Sequence, residues 1–138
     1  VYDLTLEVRP PLGGETSLEA LRQVIYAMQA RGFTFALVTC DGFEGISMRQ
    51  ELESHGITCE NYSVDKSREA YDTWREELQT GMLDYYPYEP LFQNTRSLID
   101  LAKKIDHSRN GAKDVSDAAA AVAVHCKRAG GSRIGSFV

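Results

Sequence analysis

Phe33-Thr34-Phe35-Ala36-Leu37-Val38-Thr39-Cys40 is the stretch that decides the fold. This nearly continuous apolar run is too short for a typical globular helix and rich in strand-forming residues, which predicts a central strand covered on both faces. Strands of that kind are typical of parallel sheets, so we expect its neighbours to run parallel to it. Asp41 follows the run directly and places a carboxylate at the tip of the buried strand.

Helix and strand signals alternate on both sides of this run. The loose alternation of Val1 to Val8 predicts a strand at a sheet edge, and Thr16-x-x-Glu19 is a capping box that opens a helix ending before Gly32. Further along, the pattern predicts a helix over 45–55, a strand over 57–64, and helices over 67–80, 90–104 and 114–127. This rhythm indicates an α/β sheet with right-handed crossovers.

Size and composition fit one globular domain, which we place at residues 1–129, followed by a flexible tail over 130–138. The net charge of −5 excludes a diffuse cationic surface for nucleic acid. No stretch approaches the roughly 20 apolar residues of a membrane span, so we expect no membrane association. The odd number of widely spaced cysteines, Cys40, Cys59 and Cys126, predicts reduced, buried thiols in an intracellular setting.

Carboxylates recur where an α/β sheet collects ligands. Asp41 and Asp65 follow predicted strands, and Asp114 and Asp117 open the alanine-rich last helix, three residues apart on one face. Hard oxygen ligands of this kind suit Mg²⁺. Ordinary structural roles explain each residue alone, since Asp41 before Gly42 is a common turn and acidic residues favour helix starts.

Four segments, in this order, carry a resemblance to a known family: residues 37–45 (Leu-Val-Thr-Cys-Asp-Gly-Phe-Glu-Gly), 63–66 (Ser-Val-Asp-Lys), 104–107 (Lys-Ile-Asp-His) and 113–118 (Lys-Asp-Val-Ser-Asp-Ala). Together they resemble the nuclease domain of a tailed-phage terminase large subunit, over nearly the whole chain. The resemblance implies a ribonuclease H-like mixed sheet flanked by helices, and metal-dependent endonuclease cleavage of concatemeric double-stranded DNA during viral DNA packaging.

The resemblance also implies roles for particular residues. Asp41 matches the second carboxylate of the family's acidic cluster, Asp114 the third, and Asp117 is a supporting or ligating group. These catalytic and metal-binding residues imply two-metal hydrolysis with Mg²⁺ or Mn²⁺, in which two ions about 3.5–4 Å apart stabilise the attacking and leaving oxygens. The implied partners are an ATPase motor domain, a portal protein and the small terminase subunit, and the implied location is the cytoplasm of a phage-infected bacterium.

The chain departs from the family at its amino-terminal end. The opening hairpin, with the first carboxylate, is missing before Val1, and Asp3 is interpreted as structural because its strand matches the family's third. No Gly-x-x-x-x-Gly-Lys-Ser/Thr loop occurs, so the motor is absent from this sequence. We therefore expect an unpaired first strand, a homo-oligomer or strand exchange as a way to restore pairing, and a fragment that can be inactive alone.

Basic residues near the same sheet edge are candidates for DNA binding. Lys66, His107 and Lys113 could steer a phosphate backbone, although solvated surface charge is the favoured interpretation of each one taken alone. Two other functions stay open. One is a different ribonuclease H-like nuclease of the resolvase or transposase type, and the other is a non-catalytic α/β interaction module.

Overall fold

Five α-helices and four short strands make up most of the regular structure in the computed structural model, which describes residues 2, 4–42, 45–109 and 111–130. The α-helices in these residues are α1 (Leu18–Ala30), α2 (Gly45–Ser54), α3 (Glu69–Gln79), α4 (Glu89–Arg96) and α5 (Asp114–Arg128). The strands are β1 (Val38–Cys40), β2 (Cys59–Asn61), β3 (Leu98–Asp100) and β4 (Ile105–His107), and a 3₁₀ helix spans Val64–Lys66. The architecture is therefore mixed α/β, as predicted.

The two sheets have two strands each. In the first, β1 and β2 are parallel, with Val38 opposite Cys59 and Cys40 opposite Asn61. In the second, β3 and β4 are antiparallel. The prediction that the apolar run pairs with a parallel neighbour is confirmed.

The strand predicted over Phe33 to Cys40 is shorter than expected, because the end of α1 uses its first residues. Gly32 has a φ of +93° and Phe33 donates its backbone N–H to Met28 O at 3.2 Å, which closes the helix with a Schellman motif. Phe33 is consequently half exposed. Gly56 ends α2 in the same way, since Ile57 N–H bonds to Leu52 O at 3.0 Å. β1 therefore begins several residues after Gly32, and β2 begins several residues after Gly56.

The start of α1 differs from the predicted capping box by one residue. Ser17, not Thr16, is the N-cap, and its hydroxyl accepts the N–H of Ala20 at 3.2 Å. The Glu19 carboxylate binds Arg22 and Gln23. Glu19 thus stabilises the helix through side-chain pairs one turn along rather than through the cap.

The helix predicted over Pro90 to Lys104 is wrong beyond Arg96. Pro90 lies in the first turn of α4, as expected, but the helix ends at Ser97, whose hydroxyl shares its proton between Asn94 O at 2.8 Å and Ala112 O at 2.9 Å. The β3–β4 hairpin follows. Its β-branched Ile99 and Ile105 favour strand conformation, and Ala102 turns the chain with a φ of 66°.

The amino-terminal strand prediction is also wrong for the described residues 2 and 4–8, none of which belongs to a strand. Tyr2 N–H bonds to the backbone oxygen of Asp84 at 3.0 Å, but after Tyr2 tyrosine hydroxyls take the place of a neighbouring backbone. Thr5 N–H donates to Tyr86 Oη at 2.6 Å, and Glu7 N–H donates to Tyr88 Oη at 3.0 Å. Side-chain partners of this kind satisfy the backbone without forming a ladder.

Two hydrophobic clusters fill the fold. The first packs α1 and α2 on β1 and β2, with the fully buried side chains Ile25, Val38 and Leu52. The second packs α3 and α4 on α5, where Ala119, Ala120 and Ala123 are buried. Small side chains let helices approach closely, so the alanine-rich sequence of α5 explains its central place. Burying one leucine of such a cluster stabilises the fold by about 1.5–3 kcal/mol.

The segment between β2 and α3 joins these clusters. Cys59 on β2 belongs to the first cluster and Val64, in the 3₁₀ helix, belongs to the second. Tyr62 N–H bonds to Cys40 O at 2.9 Å, which extends the contact between the two parallel strands. The residues that follow β1 and β2 are therefore held beside the start of α5.

Other predictions have mixed outcomes. Trp74 is buried, as predicted, and Cys40 and Cys59 are buried free thiols, whereas Cys126 is only partly buried. Asp3, the tail residues 131–138 and the Phe43-Glu44 pair lie outside the described residues. In the part of the chain that the structure describes, no helix combines the length and apolar character needed to cross a bilayer.

Candidate functional site

Asp41 lies where the sequence predicted it, directly after β1. Its side chain is exposed and accepts a hydrogen bond from Ser63 Oγ at 3.3 Å. Asn61 Nδ2 also donates to Gly42 O at 3.0 Å. These two contacts tie the loop after β1 to the residues after β2, so the carboxyl ends of both parallel strands meet at one edge.

Asp65 extends this edge toward α5. It lies in the 3₁₀ helix, and its carboxylate forms an ion pair with the ammonium of Lys113. Lys113 is the residue immediately before α5. The ion pair therefore fastens the start of the last helix to the end of the parallel sheet.

Lys113 also contacts Asp117, so one ammonium bridges two carboxylates. Lys113 Nζ lies 3.4 Å from Asp117 Oδ2, and the two side chains are only 10% and 12% exposed. Burial lowers the pKa of Lys113, but the hydrogen bond to Asp65 and the charge of Asp117 raise it more, so its pKa lies above the ordinary value. The ammonium stays protonated and acts as a fixed cation.

Tyr71 on α3 holds the other oxygen of Asp117. Its hydroxyl donates to Asp117 Oδ1 at 2.5 Å and lies 3.0 Å from Ser116 Oγ. Burial raises the pKa of Tyr71 above its ordinary value, which keeps the phenol protonated as a donor. Burial also raises the pKa of Asp117, against the opposing effects of Tyr71 and Lys113. We call Asp41, Asp65, Lys113, Asp117 and Tyr71 the carboxylate edge.

Asp114 does not join the carboxylate edge through any contact. Its side chain is exposed in the first turn of α5 and makes no hydrogen bond or ion pair with the residues that the structure describes. Asp114 and Asp117 therefore differ sharply, although three residues separate them. Within the described ranges, no group of three His, Cys, Asp or Glu side chains is arranged to hold a metal ion.

The other basic candidates lie at the margins of the site. Lys66 is exposed at the end of the 3₁₀ helix. His107 ends β4, where its Nδ1 donates to Ser108 O at 2.8 Å. Its neighbour Asp106 has a pKa lowered to about 2, mainly by a hydrogen bond from Lys104 and also by the charge of Lys113. The end of β4 is thus within electrostatic reach of the carboxylate edge.

Sequence reasoning placed Asp41, Asp117 and Lys113 in the site but missed two supporting residues. These residues are Tyr71 and Asn94. Asn94 on α4 accepts the N–H of Val115 at 3.0 Å and so caps α5 from another helix. Lys113 occupies the N-cap position of α5, and its side chain has no atom that can accept a hydrogen bond from the first turn. This missing local cap is the one signal in the sequence that a distant acceptor is needed.

Comparisons with protein-family models, with curated proteins and with solved structures find no match to this chain.

Proposed function

We propose that the chain is a ribonuclease H-like nuclease segment of the kind found in tailed-phage terminase large subunits, hydrolysing phosphodiester bonds of double-stranded DNA with Mg²⁺ or Mn²⁺. Ligands of parallel sheets collect beyond the carboxyl ends of the strands. Asp41 and Asp65 follow the parallel strands β1 and β2, and the start of α5 brings Asp117 to the same edge. This convergence supports the proposal.

One observation carries the proposal furthest, namely the Lys113 ammonium between Asp65 and Asp117. Two carboxylates that share a cation create a local potential that favours positive charge, whether an ammonium or a metal ion supplies it. The edge is therefore built to hold a cation. A divalent ion at this position needs the lysine to turn away, so metal and ammonium compete.

The chemical type of the donor atoms suits Mg²⁺, whereas their present arrangement suits the ion less well. Mg²⁺ is often bound by one or two carboxylates, with water and substrate phosphates completing the octahedron. Asp41 and Asp114 are exposed and supply such oxygens, and Asp117 supplies one more when Lys113 is displaced. The donor atoms fit the ion chemically, and displacement of Lys113 is the step that frees Asp117 to bind it.

Binding of DNA needs local cations, because the net charge of the chain is −5. In this proposal Lys66 and His107 contact the phosphate backbone at the margin of the edge, and Lys113 does so after it leaves Asp117. Action on concatemeric DNA within a phage-infected cell, beside an ATPase motor, a portal protein and a small subunit, belongs to the same proposal.

Metal binding and DNA nicking test this function together. We expect calorimetry to show Mn²⁺ binding to the chain, and we expect supercoiled plasmid to be nicked in Mn²⁺. Asp41→Asn and Asp117→Asn should each abolish nicking while circular dichroism shows a retained fold. Asp72→Asn, at an exposed carboxylate on α3 that pairs with Arg68, is the matched control and should nick normally.

A second function has a specific observation in its favour. The absence of a three-carboxylate group in the described residues, together with the neutralising Lys113, suits a non-catalytic α/β module in which the ion pairs are purely structural. Failure to bind Mn²⁺, with no nicking of supercoiled, linear or branched DNA, would favour this module. Preferential cutting of branched DNA would instead favour a resolvase-type nuclease.

A further inference from the structure

A cavity of about 280 Å³ lies among α3, α4 and the β3–β4 hairpin, and Tyr71 is one of its lining residues. None of the predicted site residues lines it. Leu91 and Ile105, both nearly fully buried, are among its lining residues. An apolar cavity of about 150 Å³ is enough to bind benzene. The volume here suits about two fused aromatic rings.

Four aromatic side chains line the cavity, beside five leucine and isoleucine side chains. Tyr71 and Trp74 on α3 have ring centroids 6.0 Å apart at 61°, and Tyr85 and Phe92 have ring centroids 5.7 Å apart at 63°. Both pairs are edge-to-face. Rings of this kind interact favourably with the edge or face of a further ring, so the walls suit an aromatic ligand.

The charged side chains that line the cavity already form ion pairs. These pairs determine which ligand charge the cavity favours. Arg75 Nη2 lies 3.8 Å from Asp72, and Asp100 forms an ion pair with Arg68. A charged ligand would compete with these pairs and lose hydration on entering an apolar space. Thr95 and the half-exposed Ile99 supply neutral lining. A neutral ligand therefore fits best.

We propose that this cavity binds a small neutral aromatic molecule of about two fused rings, and that Tyr71 links its occupancy to Asp117. The Tyr71 ring lines the cavity while its hydroxyl binds the Asp117 carboxylate. A ligand packed against the ring restricts its motion and favours the orientation in which the hydroxyl reaches Asp117. The cavity and the carboxylate edge thus share one side chain.

Binding of 5-fluoroindole to the full chain, followed by fluorine NMR, tests the first part. We expect saturable binding to the parent chain. Thr95→Phe, which fills the cavity from an exposed position, should weaken binding by at least about tenfold. Gln93→Phe, on the same helix but outside the lining, should bind as the parent does. Absence of binding, or equal weakening by both variants, would overturn the proposal, with circular dichroism confirming that each variant is folded.

The link to Asp117 has its own readout. We expect 5-fluoroindole to shift the carboxyl ¹³C resonance of Asp117 in the parent chain. Tyr71→Phe keeps the ring but lacks the hydroxyl, so it should bind the ligand without shifting that resonance. An unchanged Asp117 resonance in the ligand-saturated parent chain, or an equal shift in Tyr71→Phe, would overturn the link. Neither measurement depends on nuclease activity.

Discussion

The Lys113 ammonium lies 3.4 Å from an oxygen of Asp117, four residues along the chain, and both side chains are nearly buried. The Asp117 carboxylate would be a buried charge without a counter-ion if Lys113 were absent. Asp65 extends the pair toward the parallel strands. Stability, metal affinity and the position of α5 therefore depend on the same ammonium.

Lys113→Met should lower the free energy of unfolding at pH 8 by about 3 kcal/mol, because it leaves Asp117 buried and unpaired. Without the lysine the folded-state pKa of Asp117 rises further above its unfolded value. A folded state that holds its proton more tightly gains stability as pH falls, so part of the loss should be recovered at pH 5. Urea denaturation at both pH values measures this.

The control for that variant is Lys127→Met. Lys127 Nζ lies 2.6 Å from Glu76 and 3.4 Å from Glu77 in a half-exposed position. Exposed pairs contribute less than about 1 kcal/mol, so this variant should be close to the parent at both pH values. Equal losses from the two lysine variants would contradict the special role of Lys113.

Mn²⁺ affinity should rise when Lys113 is replaced by methionine, if the proposed metal site includes Asp65 and Asp117. The two carboxylates lose their competing ammonium and gain net negative charge, and we expect about tenfold tighter binding, equivalent to about 1.4 kcal/mol. Calorimetric titration measures the change. An unchanged affinity would remove Asp65 and Asp117 from the metal site while leaving Asp41 and Asp114 as candidates.

Tyr71→Phe should reduce stability by about 1.5–3 kcal/mol, since hydrogen bonds to charged groups contribute that much. A double-mutant cycle with Asp117→Asn isolates the interaction between the two side chains. Tyr62→Phe is the control, because the Tyr62 hydroxyl makes no hydrogen bond within the described ranges. A coupling energy of zero in the cycle would show that the Tyr71 hydroxyl does not stabilise Asp117.

Asp106 should titrate at a pKa of about 2, held down first by the hydrogen bond from Lys104. The folded state then binds fewer protons than the unfolded state between about pH 2 and the ordinary carboxyl range, so stability from Asp106 is lost as pH falls through that window. Lys104→Met should return the midpoint toward its ordinary value. Carbon-detected NMR of the side-chain carboxyl measures both midpoints.

Ala102→Gly should stabilise the protein by about 0.5–1 kcal/mol. Glycine relieves the strain of the left-handed conformation, and this gain exceeds the cost of the added entropy of the unfolded chain. Ala102 has a φ of 66°, and its N–H bonds to Asp100 Oδ1 at 2.8 Å in a contact that glycine retains. Ala118→Gly, inside α5, should instead destabilise by about 1 kcal/mol. Thermal unfolding of both variants compares the two effects.

The sequence predicted the helices better than the strands, for a physical reason. The capping box before α1 and the closing glycines Gly32 and Gly56 are local signals, and they placed α1 and α2 to within a residue or two at most ends. Strand ends depend on which residues find a partner. Phe33 closes α1 instead of pairing with a strand, and the Ser97 hydroxyl contacts Ala112 O. The start of β1 and the end of α4 therefore could not be predicted from the residues next to them in the sequence.

The candidate site shows the same division between local and distant information. The tip of a strand and the start of a helix were visible in the sequence, which placed Asp41, Asp114 and Asp117. The meeting of Lys113 with Asp65 spans 48 residues and depends on how α5 packs against the 3₁₀ helix. The different exposure of Asp114 and Asp117 likewise comes from tertiary packing, since Tyr71 reaches only Asp117.

The tyrosine hydroxyls that bind Thr5 and Glu7 have a consequence for the dynamics of residues 4–10. Two side-chain oxygens, Tyr86 Oη and Tyr88 Oη, bind the amides of Thr5 and Glu7. A segment held in this way opens without disturbing either sheet, so its amide protons should exchange with solvent long before those of β1 and α5. Residues 4–10 are therefore a low-stability segment, able to lift away while Tyr2, buried in the core with its hydroxyl bonded to Ala119 O at 2.6 Å, stays in place.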